Sequence, residues 1–136
     1  MKIITNQNNK YVNYLGNKDE NFMVQKMLQS NLFVLPSNID NSPNSLVEAM
    51  LLGMPIISTY AGGIPSLIEN NTEGILIQDN DPYLLSAAIL ELNNNKEKAI
   101  TLGHNARIKA LKRNDPGNIV NDMLKIYEDI IKENCK

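Results

Sequence analysis

The chain has 136 residues, 43% hydrophobic and 21% charged, which suits one soluble domain with a single sizeable core. A formal net charge of −2 excludes a broad basic surface for nucleic acid or anionic lipid and leaves only local patches. No apolar run approaches the roughly 20 residues needed to cross a bilayer, residues 1–10 hold no signal-peptide core, and the one cysteine, Cys135, offers neither a disulfide framework nor a thiol metal site, so the expected location is cytoplasmic.

In chain order, residues 2–5 form a brief apolar start, closed by a loop over 6–10. Tyr11-Val12-Asn13-Tyr14-Leu15 reads as a strand ended by Gly16. Asp19 or Asn21 caps the helix that follows, in which Phe22, Met23, Lys26 and Met27 stand on two successive turns before Ser30-Asn31 closes it. Leu32-Phe33-Val34-Leu35 reads as a buried strand stopped by Pro36-Ser37. After a polar loop, Pro43 opens a helix that runs to Leu52 and ends at Gly53. Pro55-Ile56-Ile57-Ser58 reads as a second buried strand. Strand, loop, helix and strand in this order make a βαβ unit, and such crossovers imply a parallel sheet in an α/β fold. Ligands of such sheets gather beyond the carboxyl ends of the strands, where the loops 37–42 and 59–63 fall.

Beyond Gly62-Gly63, Ile64, Leu67 and Ile68 keep helical spacing in a short helix with Pro65 in its first turn. Residues 70–74 make a turn and Ile75-Leu76-Ile77 a short strand. Asp81-Pro82 starts a helix with Leu84, Leu85, Ala88, Ile89 and Leu92 at a 3.6-residue period. A second runs from about Lys96 to Lys112, with Ala99, Leu102, Ala106 and Ala110 on one face. Asp115-Pro116 starts a third, striped by Ile119, Val120, Met123, Leu124, Tyr127, Ile130 and Ile131. The first strand reaches the second through a loop too short for a helix. The chain therefore reads as starting part-way through a domain, either truncated or as a half-domain product of a larger enzyme.

The helix start at Ser42-Pro43-Asn44-Ser45-Leu46 carries the chemistry. Free first-turn N–H groups and the helix dipole make it an anion site, where the amides near Asn44, Ser45 and Leu46 would hold a phosphate or diphosphate. Asp40 and Glu48 bracket that point and would suit hydroxyl groups on either side, the layout of a nucleotide sugar. Bland readings stand beside this one. Ser45-x-x-Glu48 also matches a capping box, Asp40 an Asx-turn residue, Gly62-Gly63 a tight turn and Gly53 a helix end. His104 reads as a surface or packing histidine, and Met23, Met27, Met50, Met54 and Met123 as core filler.

The run Pro36-Ser37, Asp40, Glu48-Ala49-Met50, Gly53-Met54-Pro55 and Gly62-Gly63-Ile64-Pro65 closely resembles the C-terminal domain of retaining glycosyltransferases of the GT-B fold, the group 1 or family 4 set. The flanks, Val12 to Gly16 and Gly74 to Pro82, fit as well, so the likeness covers roughly residues 11 to 113. The resemblance implies a Rossmann-like, three-layer α/β domain with a parallel sheet and C-terminal helices, one half of a GT-B enzyme. Over residues 1–136 it would be the C-terminal nucleotide-sugar-binding domain, with the N-terminal acceptor domain absent. Carried over by position, Glu48 would hydrogen-bond the ribose and Asp40 would face the donor sugar near its anomeric carbon. The amides of Asn44, Ser45 and Leu46, with the Gly62-Gly63 loop, would hold the rest of a UDP- or GDP-linked donor. No metal and no cofactor besides that substrate are implied. Partners implied are the nucleotide sugar, the missing domain, peripheral membrane association of the full enzyme and a homodimer through the C-terminal helix, but no nucleic acid. One departure stands out: Asp40 occupies a position where the family usually has Glu, one methylene longer. The arginine and lysine that usually neutralise the diphosphate would lie upstream, so the isolated chain is expected not to turn over substrate. A second class of reading is a non-catalytic Rossmann-like binding or oligomerisation module. A third, a response-regulator-like domain, lacks its early acidic cluster.

Overall fold

The computed structural model describes residues 11–134; the apolar start at 2–5, its loop and Cys135 lie outside the described residues. Among the described residues six helices and three strands follow one another: α1 (Glu20–Leu28), β1 (Phe33–Leu35), α2 (Asn44–Leu52), β2 (Ile56–Thr59), α3 (Ile64–Leu67), β3 (Ile75–Ile77), α4 (Pro82–Asn94), α5 (Lys96–Arg113) and α6 (Pro116–Asn134). The strands form a parallel sheet in the order β1-β2-β3. Val34 stands opposite Ile57, and Ile57 opposite Ile75.

Alternation along the strands divides the core into two layers. Ile56 and Leu76 face α2, α3 and Met27 of α1, whereas Ile57, Ile75 and Ile77 face Ala88 and Leu92 of α4. Ile56 and Ile57 are both fully buried, on opposite faces, and each contributes about 1.5–3 kcal/mol by leaving water. Helix α5 serves both layers, with Ala99 and Leu102 in one and Ala106 and Ala110 in the other. It crosses the sheet at Gly53-Met54, just ahead of the amino end of β2: a Cβ on Gly103 would lie 2.3 Å from the Gly53 carbonyl oxygen. Gly53, at φ 73°, ends α2 in the left-handed conformation, and the Arg107 guanidinium donates to the Leu51 carbonyl of that last turn. With α5 closing the amino end, the carboxyl ends of the strands are left open.

The expected strand over 11–15 is not formed. Those residues are irregular, and Tyr11, Val12, Tyr14 and Leu15 are all exposed. An apolar run becomes a strand only when another backbone completes its ladder, and none of the three described strands pairs with it. The remaining elements lie within a residue or two of their expected bounds. Asp19 caps α1, accepting from the Phe22 N–H at 2.8 Å.

Candidate functional site

The rim over the carboxyl ends is built by three loops. Buried hydroxyls at the end of β2 hold the first of them: Ser58 Oγ donates to the Leu35 carbonyl at 2.9 Å, and Thr59 Oγ1 donates to that of Ser37. The loop after β1 then lies against the loop after β2. The Gly63 N–H donates to the Asp40 carbonyl at 3.0 Å. A Cβ on Gly63 would sit 1.9 Å from the Asn41 carbonyl oxygen, and one on Gly62 would sit 2.2 Å from that of Asp40. Gly62 also has φ 50°. The pair is glycine because two backbones touch there. Its place is underneath the loop that carries Asp40, and the Gly63 amide is already engaged.

Helix α2 begins with Pro43 as its N-cap, and no side chain caps it. Ser45 and Glu48 therefore sit at the second and fifth helical positions, and the capping box read from their spacing does not form. The Asx-turn reading of Asp40 fails too, since its carboxylate accepts no hydrogen bond from the described residues. The Leu46 N–H turns back to the Pro43 carbonyl at 3.1 Å, so of the three expected amides those of Asn44 and Ser45 have no acceptor among the described residues. Leu46, Ala49 and Met50 face the core. Asn44 and Glu48, four residues apart, share the solvent face about 6 Å apart, and the Glu48 carboxylate has no ion pair or hydrogen bond among the described residues. An exposed carboxylate with no structural duty thus stands beside two open amides at a dipole's positive end.

Two features were not legible as functional in the sequence. A pocket of about 310 Å³ opens on the same rim between the ends of β1 and β3 and the start of α4, lined by Asn38, Gln78, Asn80 and Asp81 among others. Asp40, Asn44, Ser45 and Glu48 do not line it. Away from the rim, Glu73 is buried, accepts from the Glu69 N–H at 2.6 Å and pairs with Lys109 at 3.0 Å, tying the turn before β3 to α5. A polar turn gave no signal of either. His104 is exposed on α5, as expected of a surface histidine. Among the described residues no group of three or more His, Cys, Asp or Glu side chains is placed to hold a metal ion, and no helix is long and apolar enough to cross a membrane.

Comparison with known proteins places this architecture. Residues 2–109 match the family described as glycosyl transferases group 1. An uncharacterized glycosyltransferase of Methanocaldococcus jannaschii is 29% identical over 127 residues, 93% of this chain and 36% of its own length. The amylovoran biosynthesis glycosyltransferase AmsK of Erwinia amylovora is 31% identical over 104 residues, 72% of this chain and 26% of its own. A crystal structure of Anabaena Alr3699/HepE in complex with UDP superposes with a TM-score of 0.71 at 26% identity, over 77% of this chain and 29% of that one. The same Anabaena protein has been crystallised with UDP-glucose. This chain therefore spans about a third or less of the length of these relatives.

Proposed function

The chain belongs to the group 1 glycosyl transferases, and on that premise we propose that it is the donor-binding part of an enzyme that moves a sugar from UDP to an acceptor with retention at the anomeric carbon. The observation that carries the reading is the start of α2, where the open amides of Asn44 and Ser45 stand beside the unengaged carboxylate of Glu48. The amides would hold the diphosphate, with the helix dipole adding to their pull. Glu48 would accept from the ribose hydroxyls. Asp40, held over Gly63, would face the anomeric carbon and stabilise the positive charge that develops as the diphosphate oxygen leaves and the acceptor oxygen takes its place. The binding of UDP by the Anabaena relative supports uridine over guanosine as the base. The nucleotide sugar enters as substrate, and the reading includes no resident cofactor or metal.

Between Lys26 and Lys96 the chain has no lysine or arginine, so the loops that build this rim bring no cation of their own to a diphosphate. Cations from the rest of such an enzyme would complete the site, and the chain alone is expected to bind UDP only in the range of about 1 mM. Calorimetry of the 136-residue chain against UDP, GDP and ADP tests this. The expected result is binding of UDP that Glu48→Ala weakens about tenfold or more, the loss of a hydrogen bond to a charged group. Because Glu48 is exposed and has no partner among the described residues, the same variant should melt within about 0.5 kcal/mol of the parent. Equal UDP affinity in the two proteins would rule the site out.

A further inference from the structure

We propose that the pocket between the ends of β1 and β3 and the start of α4 binds one neutral pyranose unit, at a place separate from the nucleotide. Its volume, about 310 Å³, lies at the small end of ligand sites, which run from roughly 300 to 1,000 Å³. That suits a single sugar ring better than a nucleotide sugar.

The polar wall is pre-arranged by a chain of side-chain hydrogen bonds. Asp79 accepts from the Gln78 amide at 2.6 Å and from the Asn80 amide at 3.2 Å. The Asn80 carbonyl oxygen in turn accepts from the Asn38 amide at 3.2 Å, bridging the loop after β3 to the loop after β1. Asn80 holds φ 58°, a left-handed conformation that asparagine tolerates better than most residues and that aims its side chain along this chain. Asp81 uses Oδ1 to cap α4, accepting from the Tyr83 and Leu84 N–H groups, each at 2.9 Å.

What remains open is a matched set. Asn38 Oδ1, Gln78 Oε1 and Asp81 Oδ2 are acceptors without a donor among the described residues, and each of the three amides keeps an N–H to give. Hydroxyl groups, which donate and accept, satisfy such a wall. Ile77 and Leu85 add apolar surface for the C–H face of a ring. Among the described residues no lysine or arginine lines the pocket and Asp81 does, so a phosphate or diphosphate is repelled from it. The open amides of α2 belong to residues that do not line it. The rim thus separates an anion-competent place from an anion-excluding one.

The test is a two-dimensional amide NMR titration of the full chain with the methyl glycosides of glucose, galactose, mannose and N-acetylglucosamine, each to about 50 mM, the range for millimolar binding. At least one glycoside is expected to move the side-chain amide signals of Asn38, Gln78 and Asn80, and UDP is expected to leave them in place. Gln78→Ala and Asn80→Gly should each weaken the glycoside about tenfold; glycine keeps the left-handed backbone at residue 80 while removing the amide. If none of the four glycosides moves those signals, or if both variants bind the responding glycoside as the parent does, the proposal is wrong. It also falls if UDP moves the pocket signals and competes with the glycoside. UDP failing to bind anywhere would overturn the donor reading alone.

Discussion

At the scale of single residues, the site depends on close approach as much as on reactive groups. Asp40 and Glu48 were visible in the sequence as two carboxylates around a helix start, but Glu48 with Ser45 also spelled a capping box and Asp40 an Asx-turn. Whether the capping box formed depended on where α2 began. With Pro43 as N-cap, Glu48 lies two residues too far along to tie up the helix end. Gly62-Gly63 looked like a tight turn or a ligand loop. They are glycine because the Asp40 and Asn41 carbonyls lie where side chains would be. Gly63→Ala should therefore push the two loops apart. The expected cost is about 2 kcal/mol or more in urea unfolding, with weaker UDP binding because Asp40 and the start of α2 move together. Unchanged unfolding would mean that the loops part without penalty.

At the scale of elements, α5 decides which end of the sheet is open. Its periodicity was plain in the sequence, since Ala99, Leu102, Ala106 and Ala110 all proved buried. Its path was not. Small residues let it pass close beneath Gly53-Met54 and serve both faces of the sheet. Gly103→Ala places a methyl group against a backbone carbonyl, and α2 and α5 must separate to admit it. A loss of about 2–3 kcal/mol is expected, read as a lower denaturant midpoint at unchanged slope. A midpoint equal to the parent's would show that the crossing is loose. The run over 11–15 teaches the converse: β-type residues without a neighbouring strand stay irregular.

At the scale of the whole molecule, α6 stands apart. Every side chain from Pro116 to Glu133 is exposed, although the helix carries a wide apolar stripe that includes Val120, Met123, Leu124, Tyr127 and Ile131. Its charged face is closed on itself, with Lys125 near Asp122 and Lys132 near Glu128 and Asp129. These pairs are too exposed to add much stability. A chain ending at Asn114 should thus melt within about 3 °C of the full chain, since it loses almost no buried surface. In sedimentation the full chain is expected to self-associate through the stripe, and Leu124→Glu with Ile131→Glu to stay monomeric. A full chain that is monomeric at every concentration would leave the stripe to the other two thirds of a longer relative.

The sequence by itself determined the α/β class, all three observed strands, the helices and the family, because those rest on local periodicity and on motif letters that any reader of the chain can count. It also placed Asp40, Asn44, Ser45 and Glu48 at one helix start. Only the tertiary structure showed that the capping box does not form, because capping depends on the first helical residue and not on spacing. Only the structure joined Asn38 to Asn80 across 42 positions, and buried Glu73 against Lys109. Contacts of that kind arise where separate elements meet, and no local pattern in the chain encodes them.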